Sequence, residues 1–226
     1  MAPVPPEGVR SPPDLAPYLD HTVLAPDATR AQVEAACAEA RRHRFAAVCV
    51  RASFAALARE RLRGTAVAPA VVVDFPRGEG DTAARVAEAG RAVQLGAQEL
   101  DLVIGLPDVL AGRWGAVLDD LTAVVGAVQV PVKVILETAA LDRDRIVAAA
   151  AVARAAGAAY VKTSTGFGPG GATPEAVALL RAVVGDRVGV KASGGIRTAA
   201  QALAMLRAGA SRLGTSASVG IVEGTL

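Results

Sequence analysis

A short apolar run that contains a single lysine, Ala159-Tyr160-Val161-Lys162, decides the fold. Two similar runs lie on either side of it in the chain, Val132-Lys133-Val134-Ile135-Leu136 and Val188-Gly189-Val190-Lys191. Their lysines lie 29 residues before and 29 residues after Lys162, which is about the length of one strand–helix unit. Short valine-rich runs are typical of parallel strands that are buried on both faces. The spacing therefore predicts three successive parallel strands, each with a lysine near its carboxyl end.

The same alternation of strands and helices extends over most of the chain. Strands are predicted at Tyr18–Leu24, Ala46–Val50, Ala66–Val73, Glu99–Ile104, Val132–Leu136, Ala159–Thr163, Val188–Ala192 and Ser211–Thr215. Segments with helical spacing lie between them, at Ala28–Arg42, Asp81–Leu95, Trp114–Val128, Arg143–Ala155, Pro174–Val184 and Thr198–Ala208. Eight strands that alternate with helices predict an α/β fold, a single (β/α)8 TIM barrel. An open doubly wound sheet is the alternative, but no GxGxxG sequence follows the first strand.

Composition narrows the class of protein. The 226 residues are 52% hydrophobic and 20% charged, which is typical of a folded domain with a large core. A net charge of +2 and an aromatic content of 3% argue against nucleic acid as a partner. The apolar runs are too short to span a membrane. We predict a flexible proline-rich tail over residues 1–14 and a barrel that forms the catalytic domain over residues 15–226.

Cysteine and histidine are both rare. Cys37 and Cys49 form no CxxC motif, and the amino terminus lacks the pattern of a signal peptide, so the sequence favours a cytoplasmic location. His21 and His43 form no pair with metal-binding spacing. Strand alternation turns His21 away from Asp20, and we expect it to pack outward under a helix. We predict that the protein uses no metal and no cofactor.

Lysine is also rare, since Lys133, Lys162 and Lys191 are the only three among 24 basic residues. A buried lysine can lose its proton and become a nucleophile, whereas arginine cannot. Asp101 lies on the strand before that of Lys133. Catalytic residues of TIM barrels come from the carboxyl ends of different strands, so we expect these four residues to face the barrel mouth. A structural Asp–Lys ion pair is the alternative, but it explains one lysine and not three.

Lys162 and Lys191 lie on adjacent strands, which are about 4.8 Å apart in parallel sheets. Two ammonium groups at this separation disfavour each other's charged form, so that one amine can attack a carbonyl and form a Schiff base. Asp101 is the expected acid and base. An iminium accepts electrons from the adjacent C–C bond, and the residues therefore predict a class I aldolase, with catalytic residues Asp101, Lys162 and Lys191.

Glycine-rich loops follow the last three predicted strands. Phosphate groups in TIM barrels commonly bind to the loops after strands seven and eight, through backbone N–H groups and a helix amino terminus. We predict phosphate binding by Gly166, Gly194, Gly195, Arg197, Gly214 and Ser216. The expected partner is therefore a small phosphorylated substrate.

Six motifs between residues 18 and 218 resemble those of the deoxyribose-phosphate aldolase family. They are Asp20-His21-Thr22, Glu99–Ile104, Lys133–Thr138, Val161–Phe167, Lys191–Arg197 and Gly214-Thr215-Ser216. The resemblance implies reversible cleavage of 2-deoxy-D-ribose 5-phosphate to D-glyceraldehyde 3-phosphate and acetaldehyde. It also implies that Lys162 forms the Schiff base, that Lys191 perturbs it and that Asp101 transfers protons. We predict Asp20, Thr22 and Lys133 as further substrate-binding residues, and a homodimer or larger homo-oligomer as the assembly.

Two alternatives to this function remain open. One is another Schiff-base lyase, such as an aldolase for a 2-keto-3-deoxy acid phosphate, which would need a carboxylate-binding cation; Arg77 is the candidate. The other is a barrel that binds sugar phosphates without catalysis. The chain departs from the family pattern at Gly105, where asparagine is usual, and at Ala217, where a second serine is common. It also has Asp74 and Arg77 in place of glycine and leucine, and we expect these two residues to pair.

Overall fold

The computed structural model describes Val9 and residues 11–225. Its eight parallel strands form a closed barrel in chain order, with the last strand paired to the first. The strands are β1 (Leu19–Val23), β2 (Ala47–Val50), β3 (Ala68–Val73), β4 (Glu99–Val103), β5 (Val132–Ile135), β6 (Tyr160–Lys162), β7 (Gly189–Ser193) and β8 (Arg212–Thr215). Each lies within the range that the sequence predicts or extends one residue beyond it. The prediction of a (β/α)8 barrel is confirmed.

Helices follow the strands and surround the barrel. They are α1 (Arg30–His43), α2 (Ala55–Leu62), α3 (Thr82–Gln94), α4 (Leu106–Leu110), α5 (Trp114–Gly126), α6 (Arg143–Ala155), α7 (Pro174–Val184), α8 (Ala199–Arg207) and α9 (Ser218–Glu223). The sequence prediction lacks α2, α4 and α9, which have eight, five and six residues. Segments this short do not complete enough turns for helical periodicity to be recognised. In the described part of the chain, no helix is long and apolar enough to cross a membrane.

Side-chain caps determine where several helices begin. Thr29, Asp81, Asp142, Thr173 and Thr198 each accept a hydrogen bond from the backbone N–H three residues further on. Such a cap satisfies one of the N–H groups that the first helical turn leaves without a partner. Each cap therefore marks the residue at which the helix begins after the loop that follows the preceding strand.

The predicted tail, residues 1–14, lies largely outside the described residues. Its last part is described, because Pro12–Tyr18 form a 3-10 helix. The Asp14 carboxylate accepts hydrogen bonds from the backbone N–H and the hydroxyl of Ser11, at 2.8 and 2.9 Å. Proline is well suited to a first helical turn, because its φ is already near the helical value. Helical structure thus begins three residues before the predicted domain boundary.

The barrel interior is divided into an apolar and a charged side. Strand residues that point outward pack with the helices in one large apolar core. Inside the barrel, small side chains of β2 and β3, among them Ala47, Cys49, Ala70 and Val72, form a separate apolar cluster. The charged residues that point into the barrel come from β4 to β8 and from β1. This division places the buried charges together on the side of the barrel formed by the lysine-bearing strands.

Candidate active site

The four residues predicted at the barrel mouth do lie together inside the barrel. Asp101 is paired with Lys133 in the register of β4 and β5, and Lys162 is paired with Lys191 in that of β6 and β7. Paired residues of neighbouring parallel strands point to the same face of the sheet. The exposed fraction is 0% for three of the four and 3% for Lys162. The register of the strands therefore brings one carboxylate and three amines into a single buried cluster.

Asp101 connects all three lysines. Its Oδ1 accepts a hydrogen bond from Lys133 Nζ at 2.8 Å, and its Oδ2 accepts from Lys162 Nζ at 2.8 Å and from Lys191 Nζ at 2.7 Å. Burial alone would raise the pKa of the Asp101 carboxyl, but the three neighbouring amines outweigh it and hold that pKa well below its usual range. Asp101 is therefore ionised, and its carboxylate lies within hydrogen-bond distance of all three amines.

The pKa values of Lys162 and Lys191 are shifted in opposite directions. Burial lowers the pKa of Lys162, and the charge of Lys191 lowers it further, although Asp101 opposes both effects. Lys191 is equally buried, but it contacts Asp101 and also Asp20, and these two carboxylates raise its pKa. The neutral amine is therefore more accessible at Lys162, while Lys191 carries the positive charge. Such divergent pKa values in neighbouring groups are a mark of acid–base sites.

Lys133 and Asp20 were predicted to bind substrate, and the structure places both away from the surface. Lys133 is 0% exposed, and its Nζ lies 2.6 Å from Glu99 and 2.8 Å from Asp101. Asp20 is also 0% exposed, and its pKa is about 2, because Lys191, Lys133 and Arg212 outweigh the effect of burial. Since their charges are already paired inside the protein, we assign neither residue to substrate contact.

A cavity of about 660 Å³ opens at the carboxyl ends of the strands. Its wall includes most of the other predicted site residues, namely Thr22, Lys162, Gly166, Gly194, Gly195, Arg197, Gly214 and Ser216. The sequence analysis did not select Leu24, Thr165, Phe167 and Ser193, which also line it. Each of them lies within two residues of a predicted site residue. Strand alternation could have indicated Leu24 and Ser193, and neighbouring positions in the same loop could have indicated the other two.

Two hydrogen bonds hold the loop after β6 at the cavity. Glu137, two residues after β5, accepts hydrogen bonds from the backbone N–H and the hydroxyl of Thr165. Phe167 packs its ring edge-on against Phe75 from the loop after β3, with ring centroids 5.3 Å apart. A Cβ on Gly168 would lie 2.6 Å from the Glu137 carboxyl carbon. The glycine therefore lets the loop pass close over Glu137 and keeps the wall of the cavity in place.

Gly214 provides room for Lys191. A Cβ at this position would lie 3.1 Å from Lys191 Cε and 3.0 Å from Ser193 Cβ. We expect Gly214→Ala to displace the Lys191 amine and to lower turnover about tenfold, because small misplacements of catalytic groups are costly. Gly115→Ala is the matched control, since a Cβ on Gly115 meets nothing within 4 Å. Steady-state kinetics of both variants test this, and full activity of Gly214→Ala would show that Lys191 has space to spare.

His21 and Cys49 lie near the charged cluster, and their contacts are those of structural residues. His21 points outward as predicted, with Nε2 2.9 Å from the Glu39 carboxylate on α1, and burial lowers its pKa. The Cys49 thiol lies 3.9 Å from Asp101, and burial together with that carboxylate raises its pKa to about 11. Cys49 is therefore a protonated core residue. Among the described residues, no group of three or more His, Cys, Asp or Glu side chains is arranged to hold a metal ion.

The expected pair of Asp74 and Arg77 does not form. Asp74 lies 3.4 Å from Arg85 of α3 instead, and Arg77 lies 3.7 Å from Glu79 with 76% of its side chain exposed. Arg85 is buried, and its guanidinium also contacts Asp120 at 2.6 Å. A buried arginine requires carboxylate partners, and this requirement determines the partner of Asp74. The expectation was wrong because it considered only residues that are close in the sequence.

A barrel whose cavity at the carboxyl ends of the strands is lined by a reactive lysine has the general design of a TIM-barrel enzyme. Within that class, the chain belongs to the DeoC/LacD family of aldolases, whose model matches residues 15–224. The deoxyribose-phosphate aldolase of Caldanaerobacter subterraneus subsp. tengcongensis is 46% identical over 214 residues, which cover 93% of either chain. That of Thermotoga maritima is 47% identical over 212 residues, 93% of this chain and 86% of the relative.

The fold is also similar to that of a solved relative. The tetrameric structure of deoxyribose phosphate aldolase from Aeropyrum pernix matches with a TM-score of 0.88 and 32% identity. The match covers 95% of this chain and 92% of that one. The family and the fold that the sequence resemblance implied are thus confirmed.

Proposed function

We propose that this enzyme is a class I aldolase that reversibly cleaves 2-deoxy-D-ribose 5-phosphate to D-glyceraldehyde 3-phosphate and acetaldehyde. The relatives that match nearly the whole length of this chain are named deoxyribose-phosphate aldolases. The observation that carries the mechanism is the contact of Lys162 with Asp101, which in turn contacts Lys191, beneath a cavity that Lys162 lines.

The Lys162 amine attacks the aldehyde carbon C1 of the open-chain sugar. Loss of water from the carbinolamine gives an iminium, which accepts the electron pair of the C2–C3 bond as the C3 hydroxyl loses its proton. Glyceraldehyde 3-phosphate leaves, and the enamine that remains takes up a proton at C2. Addition of water to the resulting iminium releases acetaldehyde and restores Lys162. The iminium thus supplies the electron sink that this cleavage needs.

Asp101 and Lys191 move the protons in these steps, directly or through a water molecule. The Asp101 carboxylate, 2.8 Å from Lys162 Nζ, also stabilises the positive charge of the iminium. Lys191 is protonated beside two carboxylates in the resting enzyme, gives its proton to the carbinolamine hydroxyl as water leaves, and regains a proton later in the cycle. Thr22 lines the cavity, and its hydroxyl, which donates to the Asp20 carbonyl at 2.9 Å, can accept a hydrogen bond from a sugar hydroxyl.

The substrate phosphate binds to the backbone N–H groups of the glycine loops after β6, β7 and β8, with Arg197 supplying a positive charge. Gly194 and Gly195 have φ values of 88° and 80°, which glycine adopts without strain. A Cβ on Gly194 would also lie 2.8 Å from Gly171 Cα. These features support a compact loop whose N–H groups can face the ligand.

We expect kcat/KM for 2-deoxyribose 5-phosphate to exceed that for free 2-deoxyribose by at least about a hundredfold, because remote binding energy assists at the reacting carbon. Arg197→Gln should reduce this preference while leaving the reaction of the free sugar nearly unchanged. Kinetics of both sugars with both proteins provide the measurement. Equal values of kcat/KM for the two sugars in the wild type would contradict phosphate binding by the glycine loops.

The direct test of the function is cleavage of 2-deoxyribose 5-phosphate in the presence of EDTA, with cyanoborohydride trapping of the adduct. We expect full activity in EDTA and an added mass at Lys162. The same assay with a 2-keto-3-deoxy acid phosphate tests the alternative lyase, for which the structure offers little support, because Arg77 is exposed and lies beside Glu79. A barrel that only binds sugar phosphates would bind the substrate and give no trapped adduct.

The proposal extends to the protein's organisation and location. The barrel from residue 15 onward is the catalytic domain, and it acts in the cytoplasm, which suits the two buried free thiols Cys37 and Cys49. Self-association as a homodimer or larger homo-oligomer is supported by the tetrameric relative from Aeropyrum pernix. Light scattering of the purified protein determines the size of the assembly.

A further inference from the structure

Six charged side chains inside the barrel form a closed ring in which positive and negative groups alternate. In order around this charge ring they are Arg212, Asp20, Lys191, Asp101, Lys133 and Glu99. Each member contacts the next, and Glu99 closes the ring on Arg212 at 3.1 Å. The other contacts include Arg212 to Asp20 at 2.7 Å and Lys133 to Glu99 at 2.6 Å.

Only Asp101 and Lys191 of the charge ring take part in the proposed reaction, and among the other four members Arg212 and Glu99 lie at the beginnings of their strands. Arg212 begins β8 and Glu99 begins β4, so both lie at the amino end of the barrel, opposite the cavity. Their side chains are 13% and 12% exposed. Arg212 contacts Asp20 and Glu99, and its guanidinium also lies 5.6 Å from the centre of the Tyr160 ring. The two carboxylates outweigh burial and raise the pKa of Arg212.

Lys162 lies next to the charge ring but is not a member of it. The ring holds three cations and three anions, so its formal charge is zero when every member is ionised. Lys162 contacts the ring through Asp101, and β7 presents Lys191 to it. Cys49 on β2, whose thiol is protonated, is a further neighbour, and Ile135 of β5 is paired with Lys162 on its other side. A protonated Lys162 would therefore give the buried interior a net charge of +1, which is unfavourable in a medium of low dielectric constant.

We infer that Arg212 and Glu99 are positioning residues that control, through the charge ring, how readily Lys162 becomes neutral. This inference rests on the proposed Schiff base at Lys162. Loss of the Arg212 cation leaves the ring with a charge of −1, which favours protonated Lys162. Loss of the Glu99 anion leaves it with a charge of +1, which favours the neutral amine. Two residues at the amino end of the barrel thus act on the reacting amine with opposite signs.

The experiment compares the pH dependence of cyanoborohydride trapping with acetaldehyde in the wild type and three variants. We expect Arg212→Met to displace the profile upward by about one pH unit and Glu99→Gln to displace it downward by about the same amount. Arg212→Lys keeps the charge and is the matched control, with a profile close to that of the wild type. Mass spectrometry confirms that the adduct is on Lys162, and thermal unfolding confirms that each variant is folded.

A purely structural role of these residues would change the amplitude of trapping or the unfolding temperature without moving the profiles in opposite directions. Profiles that stay in place, or that move in the same direction, overturn the inference. If Arg212→Met does not fold, the direction of the shift in the nearly isosteric Glu99→Gln decides alone. Absence of any adduct at Lys162 in the wild type is a different result, because it overturns the proposed function itself.

Discussion

Replacing Lys162 with arginine is expected to abolish adduct trapping at every pH and to lower turnover by more than about 10⁴-fold, because the nucleophile is lost. A guanidinium stays protonated throughout the accessible pH range and cannot attack a carbonyl. The side chain at this position is 3% exposed and lies against Asp101, so arginine keeps the charge of the protonated lysine while it removes the nucleophilic amine. Trapping followed by mass spectrometry, together with the kinetics of cleavage, provides the measurement.

Lys162→Met is the matched control for this substitution, because it imitates the uncharged state of the amine. Both variants should be inactive, and Lys162→Met should be the more stable of the two in thermal unfolding. An adduct on Lys133 or Lys191 in the wild type would contradict the assignment. Lys133 in particular is 0% exposed and held by Glu99 and Asp101, so a carbonyl compound has no access to it.

Replacing Lys191 with leucine is expected to displace the pH profile of Lys162 trapping upward by about one unit or more. Lys191 lowers the pKa of Lys162 by repulsion, and its removal also leaves Asp20 and Asp101 with one cation fewer. Both changes favour the protonated form of Lys162. Because the neutral amine is the reactive form, the rate of trapping below the new pKa falls about tenfold for each unit of displacement.

Turnover of Lys191→Leu near neutral pH should fall further than trapping does, because a proton donor is lost as well. Lys191→Arg separates the two effects, since it keeps the positive charge but does not give up a proton. Its trapping profile should resemble that of the wild type while its turnover stays low. An unchanged profile in Lys191→Leu would mean that burial, the largest influence on the pKa of Lys162, sets its reactivity without Lys191.

The strands and the lysine cluster could be predicted, because residues at regular spacing in a barrel sequence lie at similar positions on successive strands. The depth of each lysine inside the barrel could not be predicted. The sequence spacing of 29 residues makes Lys133, Lys162 and Lys191 look equivalent, but Lys162 is paired with Lys191 on one side and with Ile135 on the other. Lys133 is therefore one layer deeper, beside Tyr160. Helix packing and loop geometry set this offset, and a single sequence does not display it.

The remaining misses have a similar cause. Glu99 lies two residues before Asp101 and Arg212 two residues before Gly214, so strand alternation points both inward, yet nothing in the sequence indicates that they meet across the barrel. The contact of Arg85 with Asp74 depends on a turn in which Asp74 has a φ of 49°. Contacts between elements that are distant in the sequence can be recognised only in the three-dimensional structure of the closed barrel.

The separation of the cavity from the amino end of the barrel has a consequence for how substitutions can change such an enzyme. Substitutions in the loops after β6, β7 and β8 alter which molecule enters, and they leave the amino ends of β4 and β8 untouched. Substitutions at those amino ends alter the acidity at which the amine works, and they leave the entrance untouched. The specificity of the enzyme and the pH at which it works can therefore be altered by substitutions in separate parts of one small domain.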